Sequence, residues 1–177
     1  MVAGTAGGRR LKSPSGRSVR PMTERVREAV FASLGSQGVI DGARVLDLFA
    51  GTGAIGIEAL SRGASEAVFV EADHAAAATV TANLTLTGLP GGSVVRDDVL
   101  RYLVRTVERF DLAFADPPYR FDDWQKLLAV LPAEVAVLES TAVIEPEGDW
   151  VLTASRRYGG SVVTFLRHAS QEPSSAD

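Results

Sequence analysis

Val45-Leu46-Asp47-Leu48-Phe49-Ala50-Gly51-Thr52-Gly53-Ala54-Ile55-Gly56 runs from an apolar stretch into a glycine-rich turn and on into a helix-forming segment. A short apolar run closed by glycines reads as a buried strand, here over residues 44–49, with a helix over 53–62. The same alternation continues down the chain. Strands are predicted over 66–71, 93–96 and 110–115, with helices over 73–87, 98–108 and 122–131 between and after them. Three further strands follow over 135–139, 150–156 and 161–167, the last two joined through Gly159-Gly160 as a hairpin. Strands that alternate with helices predict an α/β fold, a Rossmann-like, mostly parallel sheet with helices on both faces. Upstream, Thr23 caps a helix of about 12 residues in which Val26, Ala29, Val30, Ser33 and Leu34 share a face and Gly35 and Gly38 end the run. Residues 1–20 read as a loop or loose hairpin, and 169–177 as a disordered tail. The domain organisation expected is therefore a basic N-terminal extension and helix over 1–38, a ligand-binding domain over 39–168, and the tail.

Composition narrows the chemistry. The chain has 177 residues and a 46% hydrophobic fraction, enough for a sizeable core. No run is apolar enough for a transmembrane helix and no signal core opens the chain, so a cytoplasmic location is expected, with no membrane. With no cysteine, disulfides, thiolate zinc sites and cysteine nucleophiles are excluded. The two histidines, His74 and His168, are far apart, and no metal site is expected. Net charge is −4, but residues 1–30 carry +5 and the remainder −9. A basic arm on an acidic body suits phosphate contact, as would a merely solvated tail.

The turn at Gly51-Thr52-Gly53-Ala54-Ile55-Gly56 fits G-x-G-x-x-G, and Glu71 follows 20 residues after Gly51. Both a dinucleotide and S-adenosylmethionine (SAM) need glycines for close backbone approach and an acid for the ribose hydroxyls. Asp47 separates them: an acid beside this turn repels a pyrophosphate but favours the cationic ammonium and sulfonium of SAM. SAM is therefore the expected cofactor. Candidate contacts are Asp47, Phe49, Gly51, Thr52, Gly53, Glu71 and Ala72. Asp98, with Val99, could take the adenine amine, cap the next helix, or do both.

Asp116-Pro117-Pro118-Tyr119 closes the run Phe110-Asp111-Leu112-Ala113-Phe114-Ala115. An exocyclic base amine is a poor nucleophile because its lone pair is delocalised into the ring. The Asp116 carboxylate and the Pro117 carbonyl can hold its two hydrogens and aim the lone pair at a methyl carbon. Pro117 and Pro118 stiffen the turn, and Tyr119 offers a ring for a swung-out base. Asp116 also stands where it can touch the cofactor.

With these residues quoted, Arg20-Pro21-Met22-Thr23-Glu24-Arg25-Val26-Arg27-Glu28-Ala29-Val30-Phe31 resembles the N-terminal signature of the RsmD-type 16S rRNA guanine-N2 methyltransferases. Val45 to Ala54, Ile57-Glu58-Ala59-Leu60-Ser61-Arg62-Gly63-Ala64, Phe69-Val70-Glu71 and the tetrapeptide are similar to the family's other blocks. The resemblance implies a class I SAM-dependent methyltransferase fold, seven strands with an antiparallel last strand. It implies N2 methylation of a guanine in small-subunit (16S) rRNA. The small basic arm on an acidic body suggests that the site is presented within an assembling subunit, and a monomer is expected. The resemblance also implies that Arg9, Arg10, Arg20, Thr23, Arg25, Arg27 and Tyr119 meet substrate, with Thr23 and Arg25 near the cofactor or base. Met22 and Gly160-Ser161 depart from the family pattern. Alternatives are an amino methyltransferase acting on adenine N6, another RNA or a glutamine amide, and a SAM-binding ribosome-assembly factor.

Overall fold

The computed structural model describes residues 4–13 and 22–169. Its elements in chain order are α1 (Glu24–Ser36), β1 (Arg44–Leu48), α2 (Ala54–Ser61), β2 (Glu66–Val70), α3 (His74–Thr87) and β3 (Gly92–Val95). They continue with α4 (Val99–Arg105), β4 (Phe110–Ala115), α5 (Trp124–Val130), β5 (Ala133–Ser140), β6 (Trp150–Tyr158) and β7 (Ser161–His168). One seven-stranded sheet runs in the order β3-β2-β1-β4-β5-β7-β6. β1 to β5 pair in parallel, while β7 runs antiparallel to both β5 and β6.

Alternation along the strands makes two cores. Val45, Phe69, Leu112, Phe114, Val135 and Val137 face α1, α2 and α3, where they meet Val30, Phe31, Leu34, Ile57 and Val80. The residues between them face α4 and α5, where Leu46, Val68, Ala113, Ala136 and Leu138 meet Leu103, Leu127 and Leu128. The central strands β1, β2, β4 and β5 are thus sandwiched, which is why they read as near-continuous apolar runs, while edge strands β3 and β6 stay largely open to solvent. α1 contributes fully buried Val30, Phe31 and Leu34 to the first core, so it is a structural part of the sheet's cover.

Local chemistry sets the ends. The Thr23 hydroxyl accepts from the Val26 N–H and starts α1; the Asp73 carboxylate accepts from Ala76 and starts α3. Gly88, at φ 66°, ends α3. Gly56 is required by packing, because a Cβ there would lie 2.4 Å from the Phe69 ring.

Two expectations shift. The helix expected to reach residue 108 stops at Arg105, where Thr106 turns extended and β-branched Val107 follows. Ala169, expected in the loose tail, donates its N–H to the Asp149 carbonyl and prolongs the β6–β7 edge. The loop expected near the N-terminus is tethered where it is described: Thr5 and Ala6 donate to the Ser61 carbonyl and hydroxyl. The rest of the expected tail, 170–177, lies outside the described residues, as does Arg20.

Candidate active site

β1 and β4 are neighbours at the point where strand order reverses, so the β1–α2 turn and the tetrapeptide after β4 leave the sheet at one edge. The turn is held from three sides. Asp47 Oδ2 accepts from the Gly56 N–H at 2.9 Å, Glu71 Oε2 accepts from the Gly51 N–H at 2.9 Å, and Asn83 donates to the Thr52 carbonyl at 2.9 Å. Glu71 Oε1 also accepts from the Asp73 N–H, so this carboxylate ties the end of β2 to the turn and to the start of α3. Asn83 further grips both backbone groups of Lys12, joining the N-terminal segment to the same turn. Gly53 sits at φ 75°, and Phe49 at φ 59°, a left-handed conformation costly for a residue with a side chain. That conformation sets the Phe49 ring edge-on to Phe121, which in turn meets Trp124 edge-on.

The electrostatics are acidic. Asp47 is 1% exposed. Burial pushes its carboxyl from the usual 3.8 to about 8, the Gly56 N–H opposes the rise, and the charges of Asp116 and Glu71 add to it. Asp116 is also raised, to about 7: burial is the main cause, the charge of Glu139 adds to it, and a hydrogen bond from the Met22 N–H opposes it. That bond, 2.9 Å to Asp116 Oδ2, brings the entrance of α1 onto the tetrapeptide. It is made by the backbone of Met22, whose side chain is buried in the first core.

Two hollows meet here. A narrow one of about 40 Å³ is lined by Arg27, Asp47, Phe49, Gly51, Thr52 and Asp116, among others. A wider one of about 400 Å³ is lined by the whole tetrapeptide with Phe121, Trp124 and Glu139 among its walls. Among the described residues Asp116 is the side chain common to both. Tyr119, two-thirds exposed, stands at the mouth of the wider one.

Not every expected substrate residue points outward. Arg27, expected to meet substrate, is 9% exposed. It lines the narrow hollow, and its Nε has no hydrogen-bond partner. Helix spacing explains this: positions 27, 31 and 34 share the buried stripe with Phe31 and Leu34. Arg9 is exposed, but its guanidinium donates to the Leu86 and Thr87 carbonyls at 2.9 and 2.6 Å, closing the end of α3. Arg10 and Arg25 are exposed. Thr23 is also exposed, with its hydroxyl engaged in the α1 cap. Asp98 caps α4 through the Arg101 N–H, while Asp97 pairs with Arg101 and Arg105. Sequence reasoning missed Asn83 and Glu139. Asn83 lies on the apolar stripe of α3 with Ala76, Val80 and Thr87, a position where a polar residue signals a buried partner.

This donor set fits SAM. A buried guanidinium nitrogen without a partner calls for an anion, and the cofactor's one anion is its amino-acid carboxylate. The hollow that Arg27 and Asp47 line is small, about 40 Å³, and brings a cation and a carboxyl to one place, as an amino-acid head group requires. Glu71 and Asp47 already take the Gly51 and Gly56 N–H groups that a pyrophosphate would need. Among the described residues no group of three or more His, Asp or Glu could hold a metal ion, and no helix is long and apolar enough to cross a membrane.

A sheet of this order, its cofactor turn after β1 and an acid-Pro-Pro-Tyr turn after β4, defines a SAM-dependent methyltransferase of the Rossmann-like class. The comparisons are specific. Residues 1–167 match the family described as "Conserved hypothetical protein 95", and the chain belongs to it. A Bacillus subtilis relative named "Putative rRNA methyltransferase YlbH" is 38% identical, over 94% of this chain and 97% of its own length. "Ribosomal RNA small subunit methyltransferase D" of Escherichia coli K12 is 38% identical over 68% of this chain and 60% of its own length. The solved structure of an Escherichia coli protein, "Putative methyltransferase yhhF", superimposes with a TM-score of 0.85 at 29% identity, covering 97% of this chain and 98% of that one.

Proposed function

We propose that this chain transfers the methyl group of SAM to the N2 amino group of a guanine in small-subunit (16S) rRNA. The observation that carries the reading is Asp116 lining two hollows, one that offers Arg27 and Asp47 to the amino-acid end of SAM, the other wide enough for a purine. Arg27 holds the cofactor carboxylate and Asp47 faces its ammonium. Glu71 takes the ribose hydroxyls alongside Ala72, and Asp98 and Val99 border the adenine. SAM supplies the methyl carbon. Asp116, ionised, and the Pro117 carbonyl accept from the base amine and aim its lone pair, so that most of the rate gain is positioning. Tyr119 stacks on the base. The names of the Bacillus subtilis and Escherichia coli relatives support rRNA as the acceptor class.

The basic arm, with Arg10, Arg20 and Arg25, grips phosphates over an otherwise acidic body. This division of charge favours a target presented by an assembling subunit over naked RNA. Residues 1–38 serve as the cover that bears on both cofactor and RNA, 39–168 form the catalytic domain, and the protein acts as a cytoplasmic monomer. The test is methyl transfer from labelled SAM to small subunits lacking the modification, with nucleoside analysis and Asp116→Ala alongside. N2-methylguanosine that disappears in the variant is the expected result. SAM binding without any methylated nucleoside would refute the reading in favour of an assembly factor or another acceptor.

A further inference from the structure

We propose that Glu139 reads the N1–H edge of the target base and so makes the wider hollow selective for guanine. This rests on the guanine-N2 reading above and names the group that enforces it. Ala115 of β4 is paired with Leu138 of β5, so Asp116 and Glu139 are the next residues on two adjacent parallel strands. Phe114 and Val137, two residues earlier on each strand, both face the α1 side of the sheet. Strand alternation sends Asp116 and Glu139 to that side too. Both line the wider hollow, and Glu139 is close enough for its charge to act on Asp116. Glu139 is half-buried and its Oε2 is shielded from solvent.

Guanine presents its N1–H and its N2 amine side by side. Neighbouring strands lie about 4.8 Å apart, so carboxylates on the two strand ends can each take one of those donors. With the amine on Asp116 and the Pro117 carbonyl, the N1–H falls toward Glu139. Adenine placed with its N6 amine on Asp116 would turn N1, a bare acceptor, toward the same carboxylate. Two lone-pair-bearing groups would then face each other in a partly desolvated site, with no donor between them. Discrimination therefore follows from one carboxylate beside the catalytic acid, with no need for a separate recognition domain.

The experiment uses small subunits reconstituted with 16S rRNA that carries either guanosine or 2-aminopurine riboside at the methylated position. 2-Aminopurine keeps the N2 amine but has an unprotonated N1. Relative kcat/KM on the two substrates is measured for the wild-type protein, Glu139→Gln and Glu139→Ala, with SAM affinity as the folding control. The wild type should prefer guanosine by about 100-fold, the scale set by one well-placed hydrogen bond to a base edge. In Glu139→Gln the amide can donate to the bare N1, so the preference should shrink to within about 5-fold. Glu139→Ala should lie between them. An unchanged ratio in both variants, even with slower turnover, would overturn the proposal and leave Glu139 as a tuner of Asp116. Loss of SAM binding in both would also overturn it, by making Glu139 structural. A wild type that binds SAM yet methylates neither substrate would sink the guanine reading itself, a result separable from the other two.

Discussion

Replacing Asp47 by Asn should make the cofactor-free protein more stable, increasingly so as pH rises. Asp47 is buried, and its carboxyl is lifted from 3.8 to about 8. Between those values the folded chain keeps a proton that the unfolded chain has released. Stability therefore falls with rising pH, by about 1.4 kcal/mol per pH unit from this group. By pH 7 the cost is about 4 kcal/mol, a ceiling because relaxation around a buried charge lowers it. Asn keeps an oxygen for the Gly56 N–H, so the brace on α2 survives while the titration disappears. Denaturant unfolding without SAM, from about pH 4 to pH 8, measures the difference between the two proteins, in which the contribution of Asp116 cancels to first order. The two should start close together and diverge by a few kcal/mol in favour of Asp47→Asn, while that variant binds SAM more weakly. A difference that stays flat across the range, or a variant less stable at pH 8, would refute the reasoning.

The remaining expectations follow from the same geometry. Arg27→Met, close to the arginine stem in length, should weaken SAM binding by about 10–100-fold in calorimetry, the scale of a charge-assisted hydrogen bond, without comparable loss of stability. kcat/KM should rise as pH increases through about 7 and level off above it, because Asp116 must be ionised to accept from the amine and is raised to about 7. A profile flat from pH 6 to 8 would deny it that role. Asn83→Ala strips bonds from Lys12 and Thr52 at once and should cost about 2–3 kcal/mol in denaturant unfolding. Thr23→Ala should cost about 1 kcal/mol by loss of the α1 cap, read in the same assay.

The sheet was legible because its strands are short apolar runs and its helices announce their ends. Asp73 and Gly88 bound α3, and Thr23 opens α1, through hydrogen bonds and a backbone angle that depend on nearest neighbours alone. The placement of the Gly51 turn, Glu71 and Asp116 at one edge was legible from the alternation, since crossovers between parallel strands carry every carboxyl end to the same side. The burial of Arg27 was not read from the sequence, although its spacing from Phe31 and Leu34 puts it on the buried stripe. Glu139 was placed on its strand but not beside Asp116, because that adjacency depends on strand order. The bond from Met22 to Asp116 spans 94 residues and has no local signature.

Asp116 lines both the narrow hollow, proposed above for the amino-acid end of the cofactor, and the wider chamber proposed for the base. The two binding events therefore share a wall rather than a corridor. A molecule that joins the amino-acid end of the cofactor to a purine through a short tether would occupy both compartments at once. Its affinity would gain from the high effective concentration of the second fragment once the first is seated. The tether would pass directly over Asp116, so an amine placed in it would meet an acid poised to share its proton near neutrality. On the proposed reading, the residue that organises methyl transfer is also the natural fulcrum for a two-headed inhibitor.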